Sequence, residues 1–249
     1  MERSLRFRVS GALRSIASRA FGFPYSRHGL DDGLVPFLPE GTPISLVDVG
    51  ASDGHFTSIV EAHAGITRAV LIEPQPQRCA ELRSRYASDR FVIRECAVSD
   101  AEGATPLDIL NAHYSSSLLK PLPEVGGSGQ RLDLTVRERV TVAKKTLDTL
   151  VADAGMPATI DLLKIDTQGT ELQVLRGAER VLPRVRLIWV EVSFVALYEG
   201  SALFADVHAF LRSRGFRLYS IHNGFRGTDG ELLQADALFL GTTVPASRI

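Results

Sequence analysis

From residue 44 onward, short apolar runs alternate with amphipathic stretches. The runs Leu46–Val49, Ala69–Ile72, Phe91–Ile93, Ile160–Ile165 and Leu187–Val192 are almost continuously apolar. Strands of a parallel sheet covered on both faces read this way. Between them, Phe56–His63, Pro76–Tyr86, Thr146–Asp153, Glu171–Leu182 and Phe204–Ser213 carry helical patterning. Cys79, Leu82 and Tyr86 form one stripe, and Val207, Phe210 and Leu211 another. Two further runs, Phe216–Ile221 and Ala237–Leu240, are separated only by Asn223-Gly224 and Thr228-Asp229-Gly230. No helix fits there, so these two pair antiparallel. The expected fold is an α/β three-layer Rossmann-like sandwich around a mostly parallel sheet with an antiparallel last strand.

Residues 104–145 interrupt the rhythm. Thr105–Leu110 reads as a strand, Asn111–Ser117 as a polar loop, Pro121–Gly129 as an exposed Pro- and Gly-rich stretch, and Leu132–Val136 and Arg139–Ala143 as strands. An insertion of this size at the carboxyl side of a sheet is where a substrate lid would sit, a decorative hairpin being the plainer alternative.

Residues 1–43 form a basic helical extension ahead of a domain spanning 44–249. Over residues 1–28, six arginines (Arg3, Arg6, Arg8, Arg14, Arg19, Arg27) stand against one acid, Glu2, with apolar positions between them. The plain reading is a helix packed on the domain or an adapter for a partner; a transit peptide or a helix lying on an anionic membrane has the same pattern.

The stretch from Ser45 to Pro74 carries the candidate chemistry. A strand ends in Gly50-Ala51-Ser52-Asp53-Gly54, a helix follows, and the second strand ends in Glu73-Pro74. A dinucleotide fingerprint needs glycine at the first, third and sixth loop positions, which here hold Gly50, Ser52 and His55. Asp53 would also repel a pyrophosphate seated on the loop amides. S-adenosyl-L-methionine has no phosphate and carries an ammonium and a sulfonium. Asp48 and Asp53 can face that charge, while Gly50, Ala51 and Gly54 let the backbone approach. Glu73, at the tip of the next strand, suits the ribose hydroxyls, and Ala97 stands where an adenine would lie.

The composition, 45% hydrophobic and 23% charged over 249 residues, fits one α/β domain. A net charge of −1 gives no reason to expect nucleic-acid binding through a strongly basic surface. The two cysteines, Cys79 and Cys96, make neither a disulfide framework nor a zinc pattern. They read as free thiols of a reducing compartment, and a cytoplasmic location is expected.

Four segments together resemble the FkbM family of methyltransferases: Val47-Asp48-Val49-Gly50-Ala51, Ser115-Ser116-Ser117-Leu118-Leu119, Lys164-Ile165-Asp166-Thr167-Gln168-Gly169-Thr170-Glu171, and Asp236-Ala237-Leu238-Phe239. The resemblance spans roughly residues 44 to 241. It implies the class I methyltransferase fold with S-adenosyl-L-methionine as cofactor. It also implies methyl transfer to a hydroxyl of a sugar, a glycolipid or another natural product. The family commonly has Glu where this chain has Gln168. A nicotinamide or sugar-nucleotide enzyme, and a non-catalytic scaffold that keeps the cofactor fold, are the competing readings.

Within that frame Asp166, at the carboxyl end of its strand, is the first candidate to orient the acceptor or take its proton; capping the following helix is its structural alternative. Glu191 ends the next strand in an apolar setting that would raise its pKa, as suits a general base. His113 lies in the inserted loop, within reach of an acceptor if that loop is a lid. Ser116 is a candidate cofactor contact. Asp166 and Glu191 could share a divalent ion, but two carboxylates on adjacent strands do not make a metal site, so no metal ligands are assigned.

Overall fold

The computed structural model describes residues 29–110, 117–120, 122, 136–227 and 229–242. The basic segment 1–28, His113, Ser116 and the strand start at 132–135 lie outside the described residues. The elements run β1 (Ile44–Val49), α1 (His55–His63), β2 (Ile66–Glu73), α2 (Pro76–Arg85), β3 (Phe91–Glu95), β4 (Ala97–Val98), β5 (Gly103–Leu110), β6 (Val136–Lys145), α3 (Leu147–Ala152), β7 (Ile160–Ile165), α4 (Glu171–Arg176), β8 (Val185–Ser193), α5 (Phe204–Ser213), β9 (Arg217–Arg226) and β10 (Leu232–Leu240).

Seven strands form the main sheet in the order β3-β2-β1-β7-β8-β10-β9. β1 pairs in parallel with both β2 and β7, and β7 with β8. β10 runs antiparallel to β8 and β9, as the helix-free connection between the last two strands requires. The chain order reverses between β1 and β7, so their carboxyl ends open a crevice, the usual ligand position in such sheets.

Each face of the sheet has its own core. One holds Val47, Ile72, Leu163, Ile188 and Phe239 against α3, α4 and α5; the other holds Leu46, Leu71, Leu162, Trp189 and Leu238 against α1 and α2. Leu30, Leu34, Phe37 and Leu38 join the second core. Leu34 and Leu38 have no exposed surface, and burial of each stabilises by about 1.5–3 kcal/mol. His63 Nε2 lies 2.8 Å from the Leu38 carbonyl oxygen, tying this N-terminal segment to α1.

Two element readings need correction. The helix expected over Glu171–Leu182 stops at Arg176, and a 3-10 turn occupies Leu182–Arg184. Gly177 ends it, where any Cβ would lie 2.1 Å from the Ser99 carbonyl oxygen. In the insertion, β6 is one continuous strand from Val136 to Lys145, without the break expected before Arg139. It pairs antiparallel with β5 and, through Lys144 and Lys145, in parallel with β4. Leu107, Ile109 and Val142 pack on Ala97 to give this small sheet its own core. Among the described residues, no helix is long and apolar enough to cross a membrane.

Candidate active site

The loop after β1 is held from below and from the side. Gly50 has φ 76°, and a Cβ there would lie 1.9 Å from the Asp166 carbonyl oxygen. Only glycine lets the loops after β1 and β7 approach this closely. Ser52 adopts φ 49°, a left-handed conformation that glycine takes more readily. The Ser52 amide donates to Glu73 Oε2 at 2.9 Å, and the Gln75 amide to Glu73 Oε1 at 2.9 Å. Glu73 is buried. Burial raises its pKa; the two amides and the Lys164 and Arg78 charges oppose the shift in part.

Beneath the loop lies a buried ion pair. Asp48 is fully buried and accepts from Thr57 Oγ1 at 2.6 Å. Lys164 Nζ donates to the Gly50 carbonyl oxygen at 2.7 Å, and stands 3.3 Å from Asp48 Oδ1 and 3.6 Å from Asp166 Oδ2. Burial alone would lower the Lys164 pKa, but the charges of Asp48, Asp166 and Glu191 outweigh it and raise the pKa overall. The ammonium therefore stays charged and fixes the β1 loop to the end of β7.

On the far side, the stretch after β7 is pinned by Glu171. Its buried carboxylate accepts from the Thr167 amide at 2.9 Å and the Gly169 amide at 3.0 Å. Ser117 Oγ donates to the Gln168 carbonyl oxygen at 2.6 Å. Gln168 takes φ 56°, and its side chain joins two carboxylates. Nε2 donates to Asp166 Oδ1 at 2.8 Å and to Glu191 Oε2 at 2.9 Å, while Oε1 accepts from the Tyr198 hydroxyl at 3.0 Å. Gln234 Nε2 adds a second donor to Glu191 Oε2 at 3.1 Å. Burial first, then the charges of Asp166, Glu171 and Asp236, push Glu191 well above the ordinary carboxylate range.

Asp236 stands opposite Glu191 across β8 and β10 and opposite His222 across β10 and β9. Burial pushes Asp236 up to about 6. His222 Nδ1 in turn meets Asp31 Oδ1 at 3.1 Å, so the N-terminal segment closes this row of polar groups.

A cavity opens between the loops. Of the residues singled out from sequence, Gly50, Glu73, Pro74, Ala97 and Asp166 line it. Ser52, Gln75, Leu107, Thr167 and Gln168 line it as well, and none of these was foreseen as a site residue. Asp48, Ala51, Asp53, Gly54 and Glu191 are not among the lining residues. Asp48 points under the loop to Lys164 and Thr57, so it holds the loop and does not face a ligand. Asp53 turns away and accepts from the His55 amide at 3.0 Å. Gly54 serves packing: it has φ 77°, and a Cβ would fall 2.8 Å from Tyr86 Cε2. Ala51 is buried and donates its amide to the Ile72 carbonyl oxygen. Helix capping, the structural alternative for Asp166, is not seen: the N-cap of α4 is Thr170, with no side-chain cap hydrogen bond, and Asp166 Oδ1 accepts from Gln168 Nε2 instead. Among the described residues, no group of three or more His, Cys, Asp or Glu side chains is placed to hold a metal ion.

The methyltransferase FkbM domain matches residues 48–218, from the base of the β1 loop into β9. This chain belongs to the FkbM methyltransferase family. It is an S-adenosyl-L-methionine-dependent methyltransferase. It is 28% identical over 242 residues to 31-O-demethyl-FK506 methyltransferase FkbM of Streptomyces tacrolimicus, covering 88% of this chain and 82% of that protein. It is 26% identical over 243 residues to 2-O-methyltransferase NoeI of Sinorhizobium fredii, covering 92% and 96%. The fold is shared with methyltransferase FkbM from Methylobacillus flagellatus KT at a TM-score of 0.50 and 16% identity, over 80% of this chain and 43% of that one.

The residues around the cavity fit the cofactor's parts. Glu73 keeps acceptor capacity on both oxygens for ribose hydroxyls, since each accepts one amide. Ala97, Val98 and Leu107 offer apolar wall to an adenine. Gly50, without a Cβ, would let a methionine end approach the loop backbone.

Proposed function

We propose that this enzyme transfers a methyl group to a hydroxyl oxygen of a small natural-product acceptor, such as a sugar, a glycolipid or a polyketide. The observation that carries this reading is the pair of carboxylates, Asp166 and Glu191, joined by one side-chain amide at the cavity. Relatives whose names specify 31-O and 2-O methylation support oxygen as the target. The bound cofactor supplies an electrophilic methyl group on its sulfonium. The chain's own residues then have two tasks: to aim an acceptor oxygen, and to receive its proton. Asp166 lines the cavity and takes both. It accepts a hydrogen bond from the acceptor hydroxyl, which orients the oxygen, and receives the proton as the new carbon–oxygen bond forms. Glu191 accepts the other N–H of Gln168 and so fixes the amide behind Asp166. The β4–β5–β6 sheet with Leu118 forms the wall that keeps water from the reacting oxygen.

The test is to incubate the protein with labelled S-adenosyl-L-methionine and a panel of sugars, glycolipids and polyketides, measuring S-adenosylhomocysteine release. With the acceptor found, Asp166→Asn should lower kcat by about 100-fold or more, in the range of a lost general base. Its cofactor Kd, read by calorimetry, should change only a few-fold. Full activity in Asp166→Asn would show that the base lies elsewhere, and tight nicotinamide binding without S-adenosyl-L-methionine binding would overturn the cofactor assignment.

A further inference from the structure

The side chain of Gln168 is committed at every polar atom. Its two N–H groups go to Asp166 and Glu191, and its carbonyl oxygen takes the Tyr198 hydroxyl. That pattern sets the orientation of the amide: turned over, Oε1 would face two carboxylate oxygens, with nothing to donate between them. The backbone is constrained as tightly. A left-handed conformation at a residue with a side chain costs about 1–2 kcal/mol. Here Ser117 holds the Gln168 carbonyl, and Glu171 holds the amides on either side, those of Thr167 and Gly169. The fold thus maintains local strain at one residue of the cavity wall, and the result is an amide aimed between two acids. Strain of this kind persists only where the surroundings over-determine it, and it clusters at functional sites.

We propose that Gln168 is a positioning residue that binds Asp166 and Glu191 into one unit and aims the Asp166 carboxylate at the acceptor. This rests on Asp166 being the group that receives the acceptor's proton. Without the amide, two carboxylates on neighbouring strands repel and swing apart. With a carboxylate in place of the amide, three acids would meet at one point, with Glu171 and Asp236 close behind. Lys164 faces the cluster from β7 as its cation, and Tyr198 faces it from the segment after β8. A neutral side chain with two parallel donors answers this crowding: it adds no charge and gives one hydrogen bond to each acid.

Gln168→Glu tests the idea, because it keeps shape and length while exchanging the donors for a third acid. A nearby like charge raises a carboxyl pKa, here by roughly one unit or more. The base must be ionised to act, so the acidic limb of the pH–rate profile should move up by that amount. On that limb kcat should fall about tenfold for each unit of the shift, and recover towards the wild-type value at higher pH. Gln168→Ala, which removes the donors without adding charge, should lose activity at all pH values. Cofactor Kd should stay within threefold of wild type in both. In parallel, carbon-13 NMR of side-chain carboxyls, assigned with Asp166→Asn and Glu191→Gln, should show the two titrations shifted upward in Gln168→Glu. An unmoved pH–rate limb with unmoved carboxyl titrations would overturn the proposal. If the wild-type protein methylates no hydroxylated acceptor, the functional reading fails, and the carboxyl titrations still decide whether the amide couples the acids.

Discussion

Removal of the Lys164 ammonium should cost more than any other single change to the site. Lys164→Met keeps most of the side-chain volume but leaves Asp48 fully buried without its cation 3.3 Å away. Loss of one partner of a buried pair costs about 3–5 kcal/mol, because the remaining charge stays desolvated. The Gly50 carbonyl also loses its charged donor, a loss that overlaps the first and is not added to it. For a domain of about 200 residues, each kcal/mol moves Tm by about 2–4 °C, so Tm should fall by about 6–20 °C. The native margin is about 5–15 kcal/mol, so the variant should still fold. The pair's contribution also has a pH signature. The folded pKa of Lys164 lies above its unfolded value. Its stabilisation is therefore complete below about pH 10.4 and is lost as pH rises through the folded value. Thermal melts of Lys164→Met, Asp48→Asn and the double variant, read from pH 7 to 11, test both points. The double variant should be more stable than Lys164→Met alone, since it no longer strands a buried charge, with a coupling of about 0.5–3 kcal/mol. A Lys164→Met variant within 1 kcal/mol of wild type, or strictly additive single costs, would refute the account of the pair as the support of the loop.

Glu191→Gln should raise stability while weakening catalysis. The raised pKa means that charged Glu191 works against folding, so its favourable contribution is complete below about pH 4.5 and is lost as pH climbs through the folded value. Melts should therefore coincide near pH 4, and the variant should gain on wild type towards pH 8; equal melts throughout would contradict the burial argument. Its kcat should fall about tenfold, less than the loss in Asp166→Asn, because Gln still accepts from Gln168 and Gln234. In the β1 loop, Gly54→Ala should destabilise by about 1–3 kcal/mol, since a Cβ would strike Tyr86 and Leu82 at positive φ. Ser52→Gly should stay within about 1 kcal/mol of wild type, as the relief of a left-handed serine offsets the freer unfolded chain. Denaturant melts that reversed this order would show that loop conformation is not what selects these residues.

Most of the fold was legible in the sequence because its signals are local. A strand buried on both faces must be apolar throughout, and the runs from Leu46 to Val49 and from Ile160 to Ile165 have no other economical explanation. The absence of room for a helix between β9 and β10 decided their direction. What failed was equally local. Leu182 continues the helical spacing begun at Glu171, but Gly177 packs against the Ser99 carbonyl from a distant loop, and nothing near residue 177 in sequence announces that neighbour.

The site was legible only where function and strand ends coincide. Glu73 and Asp166 close their strands, so topology alone carries them to the cavity. Asp48 shows the limit of that argument. Its place beside a glycine loop suggested a contact with cationic cofactor, yet the parallel register sets it opposite Lys164, and a buried ammonium claims it first. Gln168 is the more instructive case. In sequence it was a departure from a family pattern, two residues past an interesting acid. Its role depends on Glu191 across the β7–β8 register and on Tyr198 beyond the end of β8, contacts separated by 23 and 30 residues. A glutamine carries no charge and shows no periodicity, so no local rule marks it. It becomes informative only when both of its N–H groups are traced to acids and its backbone is found in the left-handed region. Charge at this site is thus set by residues that the sheet brings together: Lys164 pairs with Asp48 beneath the loop, and the Gln168 amide stands between Asp166 and Glu191.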